Sequence, residues 1–149
     1  IVANPHFVDS VVDAKECVGT HIDEAFLGSC NNGRIEDLRV GAALIKGKKV
    51  HPLVRFLVVP ASAAVYQQAL EEGIISTFME AGAVVMNPNC SVCWGSCQGV
   101  IGESEVLIST GTRNFKGRAG HKDSFVYLAS AATVTASAIK GEIATADMI

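Results

Sequence analysis

The stretch Val-Arg-Phe-Leu-Val-Val at residues 54–59 decides the fold class, because it is an almost continuous apolar run. A run of this length without polar alternation is typical of a strand buried on both faces of a parallel sheet. Residues 61–72 follow with helical spacing and end at Gly73. A buried strand followed directly by a helix predicts a βα unit of an α/β fold.

The same alternation continues on both sides of this unit. We predict strands over residues 25–28, 83–86, 106–108 and 125–128, and helices over 34–46, 74–81 and 131–140. Repeated βα units predict a three-layer α/β/α domain with a mainly parallel sheet. We assign residues 21–149 to this single domain. Residues 1–20 contain Pro5 and Gly19 and show no clear strand, so we predict a connecting arm there.

Length, charge and hydropathy exclude several classes of protein. The chain has 149 residues, of which 49% are hydrophobic, and a net charge of −3. No apolar run approaches the ~20 residues that a membrane span needs. The acidic excess gives no electrostatic argument for nucleic acid as a partner. The chain begins at Ile1 without the features of a signal peptide, and we interpret it as part of a longer polypeptide.

Five cysteines indicate the compartment and the chemistry. An odd number in so apolar a chain does not suit a secreted disulfide framework, so we expect a reducing, cytoplasmic setting with metal or redox chemistry. The cysteines are Cys17, Cys30, Cys90, Cys93 and Cys97.

Cys30 lies in the first of three loops that follow predicted strands, where ligands bind in parallel sheets. This loop reads Gly-Ser-Cys-Asn-Asn-Gly-Arg at residues 28–34, directly before a predicted helix. A helix N-terminus stabilises a nearby thiolate, which is the form that binds metals. The alternative is that Cys30 is a small buried apolar residue.

The second loop contains the pair Cys90 and Cys93, whose spacing lets both thiols face one metal. A redox pair and a zinc site, with Cys17 or Cys97 as fourth ligand, are alternatives. Cys90, Cys93 and Cys97 also form a C-x2-C-x3-C run like part of a ferredoxin motif. If a helix starts near Cys93, Cys97 lies one turn further on, and we therefore expect it to be a packing residue.

The third loop, residues 109–120, contains a concentration of basic residues. Arg113 and Arg118 each offer a planar fork that pairs with a carboxylate or phosphate. The alternatives are a solvated loop and, through Phe115, a weak single-strand nucleic-acid contact.

Together the three loops resemble the aconitase superfamily. The segments GSCNNGRIEDLR (28–39), NPNCSVCWG (87–95) and STGTRNFKGRAG (109–120) occur in the order of three motifs of that superfamily. Over residues 21–142 the chain is most similar to the C-terminal iron–sulfur domain of the large subunits of 3-isopropylmalate dehydratases and homoaconitases.

The resemblance implies a [4Fe–4S] cluster held by Cys30, Cys90 and Cys93. It implies that the iron without a protein ligand acts as a Lewis acid toward a hydroxy-carboxylate substrate. The implied reaction is reversible dehydration and rehydration, which moves a hydroxyl to the neighbouring carbon. Arg113, Arg118 and Asn32 match substrate-binding positions of the family.

Four positions depart from the family motifs, so the resemblance does not identify a single substrate. Asn31 stands where Thr is common, Gly111 and Thr112 where Ser-Asn is usual, and Ala131 where Pro is usual. We expect 3-isopropylmalate as the substrate, with homoaconitate, dimethylmalate and citrate as alternatives. A non-catalytic iron- or redox-sensing module and a fragment whose thiols bind nothing are the remaining hypotheses.

The resemblance also implies that much of the active site lies outside this chain. We assign no catalytic residue here and expect the general base on a swivel domain or small subunit. The expected partners are the upstream domains of the large subunit and that small subunit, so the isolated chain should be inactive. The four histidines are expected to be surface or structural residues: His6, His21, His51 and His121.

Overall fold

A computed structural model describes residues 1–149 as seven strands and four α-helices. The strands are β1 (Val2–Ala3), β2 (Val11–Val12), β3 (Glu24–Gly28), β4 (Arg55–Val59), β5 (Val84–Val85), β6 (Val106–Ser109) and β7 (Phe125–Ala129). The helices are α1 (Ile35–Ile45), α2 (Ala63–Glu71), α3 (Ile74–Ala81) and α4 (Ala131–Lys140). No helix is both long enough and apolar enough to cross a membrane.

All strands join one sheet in the order β2-β1-β7-β6-β3-β4-β5. Strands β3 to β7 are parallel, whereas β1 pairs antiparallel with both β7 and β2. The α/β class and the mainly parallel sheet are thereby confirmed. The predicted five strands and four helices are all present, with bounds shifted by at most two residues. For example, α2 starts at Ala63 because the Ser62 hydroxyl accepts a hydrogen bond from the Val65 N–H at 3.2 Å.

One face of the sheet carries all four α-helices. Ala25 and Leu27 of β3 point to this side and pack with buried residues of every helix in the larger apolar cluster. Phe26 points to the opposite side, as the alternation of a strand requires.

The opposite face is covered by loops. It packs residues of β3, β4, β6 and β7 against Val92, Ile101 and Ala119, which belong to the connections before and after β6. A right-handed return from β5 to β6 must cross this face. Residues 86–105 lack helical periodicity and contain several glycines, so the second covering layer of the predicted three-layer arrangement is formed here by loops and a short 3₁₀ turn.

The first twenty residues differ from the prediction, since they contain two short strands. Val2 is fully buried and pairs with Ala129 at the sheet edge, and Cys17 belongs to the helix-side core. Two-residue strands are too short to produce a readable alternation, which explains why the prediction of no strand was wrong. That residues 1–20 connect to a further domain, and that 21–149 form the domain proper, stay predictions.

Candidate functional site

The three loops meet at the carboxyl end of the parallel strands around one cavity of about 160 Å³. Five residues expected at the site line it together. The full lining consists of Gly28, Ser29, Cys30, Asn31, Asn32, Cys90, Cys93, Trp94, Gly111, Thr112 and Arg118. The structure therefore brings Cys30, Cys90, Cys93, Asn32 and Arg118 to one place.

The first loop is a tight turn that presents Cys30 at its tip. The Gly33 N–H donates to the Ser29 carbonyl at 2.8 Å, and the Gly33 carbonyl accepts from the Ala61 N–H at 2.8 Å. A Cβ at Gly33 would collide with the carbonyl oxygens of Val59 and Ser29, so only glycine fits. Cys30 is exposed, which contradicts the alternative of a buried apolar residue. Helix α1 follows with Arg34 as its N-cap.

In the second loop, Cys90 directly precedes a short 3₁₀ turn (Ser91–Cys93) and Cys93 is its last residue. Cys90 is exposed and Cys93 half-buried. Ser91 between them is buried with φ of 47°, an uncommon conformation for a non-glycine residue. Its hydroxyl donates to the Gln98 carbonyl at 2.8 Å, which supports the turn. Gly95, with φ of 73°, packs closely against the Arg118 backbone and thus joins this loop to the third.

Two cysteines lie outside the cavity. Cys97 is exposed, and no helix starts near Cys93, so the prediction that Cys97 is a packing residue was wrong. Cys17 is buried in the helix-side core with its thiol 3.4 Å from the Asn4 Oδ1. Neither residue is placed to be the fourth ligand of a zinc ion with the other three cysteines.

The third loop supplies Arg118, whose guanidinium group is partly free. Its Nε is buried without a hydrogen-bond partner, and its Cζ lies 5.6 Å from the centre of the Phe115 ring. A buried donor without a partner is rare in folded proteins and is commonly matched by a ligand or water. Arg118 also lines the cavity, where its guanidinium group can pair with an anionic group.

Arg113 lies apart from Arg118 in the structure. It is exposed, does not line the cavity, and its Nη1 donates to the Thr112 carbonyl at 2.6 Å. It borders a different cleft, which also contains His6 and Phe7. None of the four histidines lines the thiol cavity.

Two buried polar residues of the third loop were not predicted from the sequence. Thr110 hydrogen-bonds to the first loop through its hydroxyl. The fully buried Asn114 donates from Nδ2 to the Asn4 carbonyl at 2.7 Å and to the Phe7 carbonyl at 3.3 Å. Position could have identified Thr110, which directly follows β6 at its carboxyl end, whereas no sequence signal marks Asn114, five residues after that strand.

The donor set is compatible with an iron–sulfur cluster, whose irons are held by cysteine thiolates. No three His, Cys, Asp or Glu side chains converge on a point where a single ion would bind. A cluster is held by one thiolate per iron, so its ligands surround a volume and do not meet at a point. Three free thiols around a cavity, with the unpartnered Arg118 Nε beside them, have that arrangement.

The fold and the site together define an α/β domain with three cysteines around a cavity at the carboxyl end of its strands. The sequence model of the Aconitase family (aconitate hydratase) matches residues 7–141. The chain belongs to the aconitase family.

Its relatives carry two different names. The chain is 50% identical to the 3-isopropylmalate dehydratase large subunit 2 of Archaeoglobus fulgidus over 97% of this chain and 35% of that protein. It is 54% identical to the probable methanogen homoaconitase large subunit of Methanothermobacter thermautotrophicus, over 95% of this chain and 33% of that protein. It is 49% identical to the 3-isopropylmalate dehydratase large subunit of a Sulfurihydrogenibium species over 100% of this chain. The chain thus spans about a third of the length of these relatives.

Proposed function

We propose that this chain is the iron–sulfur domain of the large subunit of a [4Fe–4S]-dependent hydro-lyase, a 3-isopropylmalate dehydratase. The observation that carries the proposal is the cavity lined by Cys30, Cys90 and Cys93. Relatives named 3-isopropylmalate dehydratase large subunit, at 49% and 50% identity over nearly the whole chain, support it.

Cys30, Cys90 and Cys93 hold the cluster in this proposal. Three cysteine ligands leave one iron open, and that iron supplies Lewis-acid chemistry to a hydroxy-carboxylate when the cluster is bound. The protein's part is to present the three thiolates from two loops and to keep Cys97 away from the cavity, because a fourth thiolate would close the cluster.

Arg118 binds a substrate carboxylate in this proposal. It lines the cavity, and its planar fork suits a bidentate pair with two carboxylate oxygens. Asn32 lines the same cavity and donates from Nδ2 to the Thr110 carbonyl, which orients its amide and leaves the side-chain oxygen free for a substrate hydroxyl. Arg113 stays a predicted carboxylate ligand, and its exposure allows it to reach a substrate from outside the cavity rim.

The rest of the active site belongs to other parts of the enzyme in this proposal. No residue of the cavity is a suitable general base, so we place the base on a swivel domain or small subunit. The upstream domains of the large subunit and this small subunit are the proposed partners, and the cytoplasm is the proposed compartment. The isolated chain is expected to give no turnover.

Homoaconitate remains the second candidate substrate. The relative named probable methanogen homoaconitase is 54% identical, as is one named probable 3-isopropylmalate dehydratase from the same organism. Overall identity therefore does not rank the two activities. Turnover of 3-isopropylmalate against homocitrate by the complete enzyme would decide between them.

The cluster is tested first, by anaerobic reconstitution with iron and sulfide, followed by mild oxidation and electron paramagnetic resonance. We expect a three-iron signal, since an iron without a cysteine ligand leaves easily. A four-iron cluster that resists iron loss would contradict the proposal and favour a sensing or electron-transfer role. Failure of the chain to bind iron, even with its partner domains present, would also contradict it.

A further inference from the structure

Thr110 joins the third loop to the first through every polar group that it has. Its N–H donates to the Phe26 carbonyl at 3.0 Å, and its carbonyl accepts from the Asn32 amide. Its hydroxyl accepts from the Gly28 N–H at 3.0 Å and donates to the Gly28 carbonyl at 3.0 Å. Thr110 is buried, so these bonds form away from water.

These bonds form where the sheet stops connecting the two loops. The parallel pairing of β3 with β6 ends at the pair Phe26 and Ser109. One residue further along β6, the Thr110 side chain takes the place of a backbone partner for Gly28. The hydroxyl thus extends the connection between the two strands beyond the end of their ladder.

The two segments that Thr110 joins lead to different cysteines. Gly28 lies two residues before Cys30. Gly111 follows Thr110 and lines the cavity together with Cys93, and a Cβ built on Gly111 would lie 3.9 Å from the Cys93 Sγ. Thr110 therefore lies between the Cys30 turn and the part of the third loop that faces Cys93.

We propose that Thr110 is a positioning residue that holds Cys30 and Cys93 facing the same cavity. The hydroxyl is the essential group, because a valine of the same shape would leave the buried Gly28 N–H and carbonyl without a partner. Serine would keep both bonds. That the two thiols are positioned to hold a cluster rests on the proposed function, but the spacing of the thiols can be measured without iron.

The test compares Thr110→Val and Thr110→Ser in a background where Cys90→Ser and Cys97→Ser leave only Cys30 and Cys93 accessible. A short bifunctional thiol reagent, dibromobimane, reports the Cys30–Cys93 bridge by fluorescence, and mass spectrometry identifies the product. Because a mobile loop lowers the effective concentration of one thiol near the other, we expect the bridging rate to fall at least fivefold in Thr110→Val. Thr110→Ser should stay within twofold of the background.

A matched control separates positioning from general loss of stability. Ser137 in α4 also makes buried hydrogen bonds, accepting from the Ala144 N–H at 3.0 Å and donating to the Thr133 carbonyl at 2.7 Å. Ser137→Ala should destabilise the fold without changing the bridging rate by more than twofold. An unchanged or faster rate in Thr110→Val, or an equal loss in Ser137→Ala, would overturn the proposal.

A second measurement decides the matter if Thr110→Val fails to fold. The Gly28 amide should exchange its hydrogen slowly in the unmodified chain and in Thr110→Ser, since the Thr110 hydroxyl is its acceptor. Exchange at the rate of an exposed amide would overturn the proposal. Both measurements use metal-free protein, so failure of cluster reconstitution would count against the proposed function and leave this result standing.

Discussion

The polar groups at the two ends of the parallel strands differ in their surroundings. At the amino end, Glu24, Arg55 and Glu105 bind one another. Arg55 Nε lies 2.9 Å from Glu24 Oε2, and its Nη2 lies 2.9 Å from Glu105 Oε2. At the carboxyl end, Cys30 and Arg118 face a cavity, and the Arg118 Nε has no partner.

The difference separates a structural polar cluster from a ligand site. The charged groups of the amino end pair with one another, the buried Glu24 Oε1 excepted, and none of these three side chains lines a cavity. The three cysteines and Arg118 at the carboxyl end line one cavity, which is the arrangement of a ligand site. Both ends contain charged or nucleophilic residues, so residue type alone does not distinguish them.

The largest effect is expected at the carboxyl end. Cys30→Ser should remove nearly all iron from the reconstituted chain, because the exposed loop offers no other thiol on that side of the cavity. Cys97→Ser is the control and should bind as much iron as the unmodified chain. Iron and sulfide analysis after anaerobic reconstitution measures both. Normal iron in Cys30→Ser with loss in Cys97→Ser would favour the ferredoxin-like run.

At the amino end, Glu24→Gln should change how stability depends on pH. Burial, opposed by the hydrogen bond from Arg55, raises the pKa of Glu24 from 4.5 to about 7. Between these values the unfolded chain releases the proton while the folded chain retains it, so the free energy of unfolding falls as pH rises. A shift of this size corresponds to about 3 kcal/mol, present below pH 4.5 and lost above about pH 7.

The measurement is urea unfolding of both proteins from pH 4 to 8. The stability of Glu24→Gln relative to the unmodified chain should rise across this window. The lowered pKa of Glu105, caused by its hydrogen bond with Arg55, acts at lower pH and is present in both proteins. A stability difference that does not vary with pH would show that the buried Glu24 does not titrate in this way.

Gly33→Ala should distort the first loop at the carboxyl end of the strands and lower the stability of the fold. The added Cβ would collide with two carbonyl oxygens, and forcing extra volume into such a contact costs about 1–3 kcal/mol. Gly102→Ala is the control, since its Cβ would meet Glu105 Oε2 at an ordinary 3.6 Å. Urea unfolding of both variants gives the comparison. Equal stability of the two would mean that the first loop can relax around a side chain.

The smallest effect concerns substrate binding in the complete enzyme. Arg118→Lys keeps the charge but loses the planar fork, and we expect kcat/KM to fall about tenfold, or about 1.4 kcal/mol. Iron content should not change. Arg113→Lys, whose residue lies outside the cavity, should have a weaker effect. A larger loss for Arg113→Lys would move the carboxylate site to the exposed side of the third loop.

Most of the fold was predictable because its elements have strong local signals. The apolar run at 54–59 and the helical spacing of 74–81 and 131–140 appear in the structure almost unchanged. The two short strands Val2–Ala3 and Val11–Val12 were not predictable, since each exists only through pairing with a distant or neighbouring strand. Local pattern carries no information about such pairings.

The site was predictable as a set of residue types but not as a set of contacts. The sequence by itself determined the three loops, the cysteine pair and the basic segment, because strand, turn and helix signals fall in order along the chain. Only the tertiary structure decided that Cys97 and Arg113 lie outside the cavity and that Arg118 lines it. It also revealed Thr110 as the connection between two loops, because its partner Gly28 is 82 residues away in the chain. Distances across a sheet depend on strand order, which local sequence does not encode.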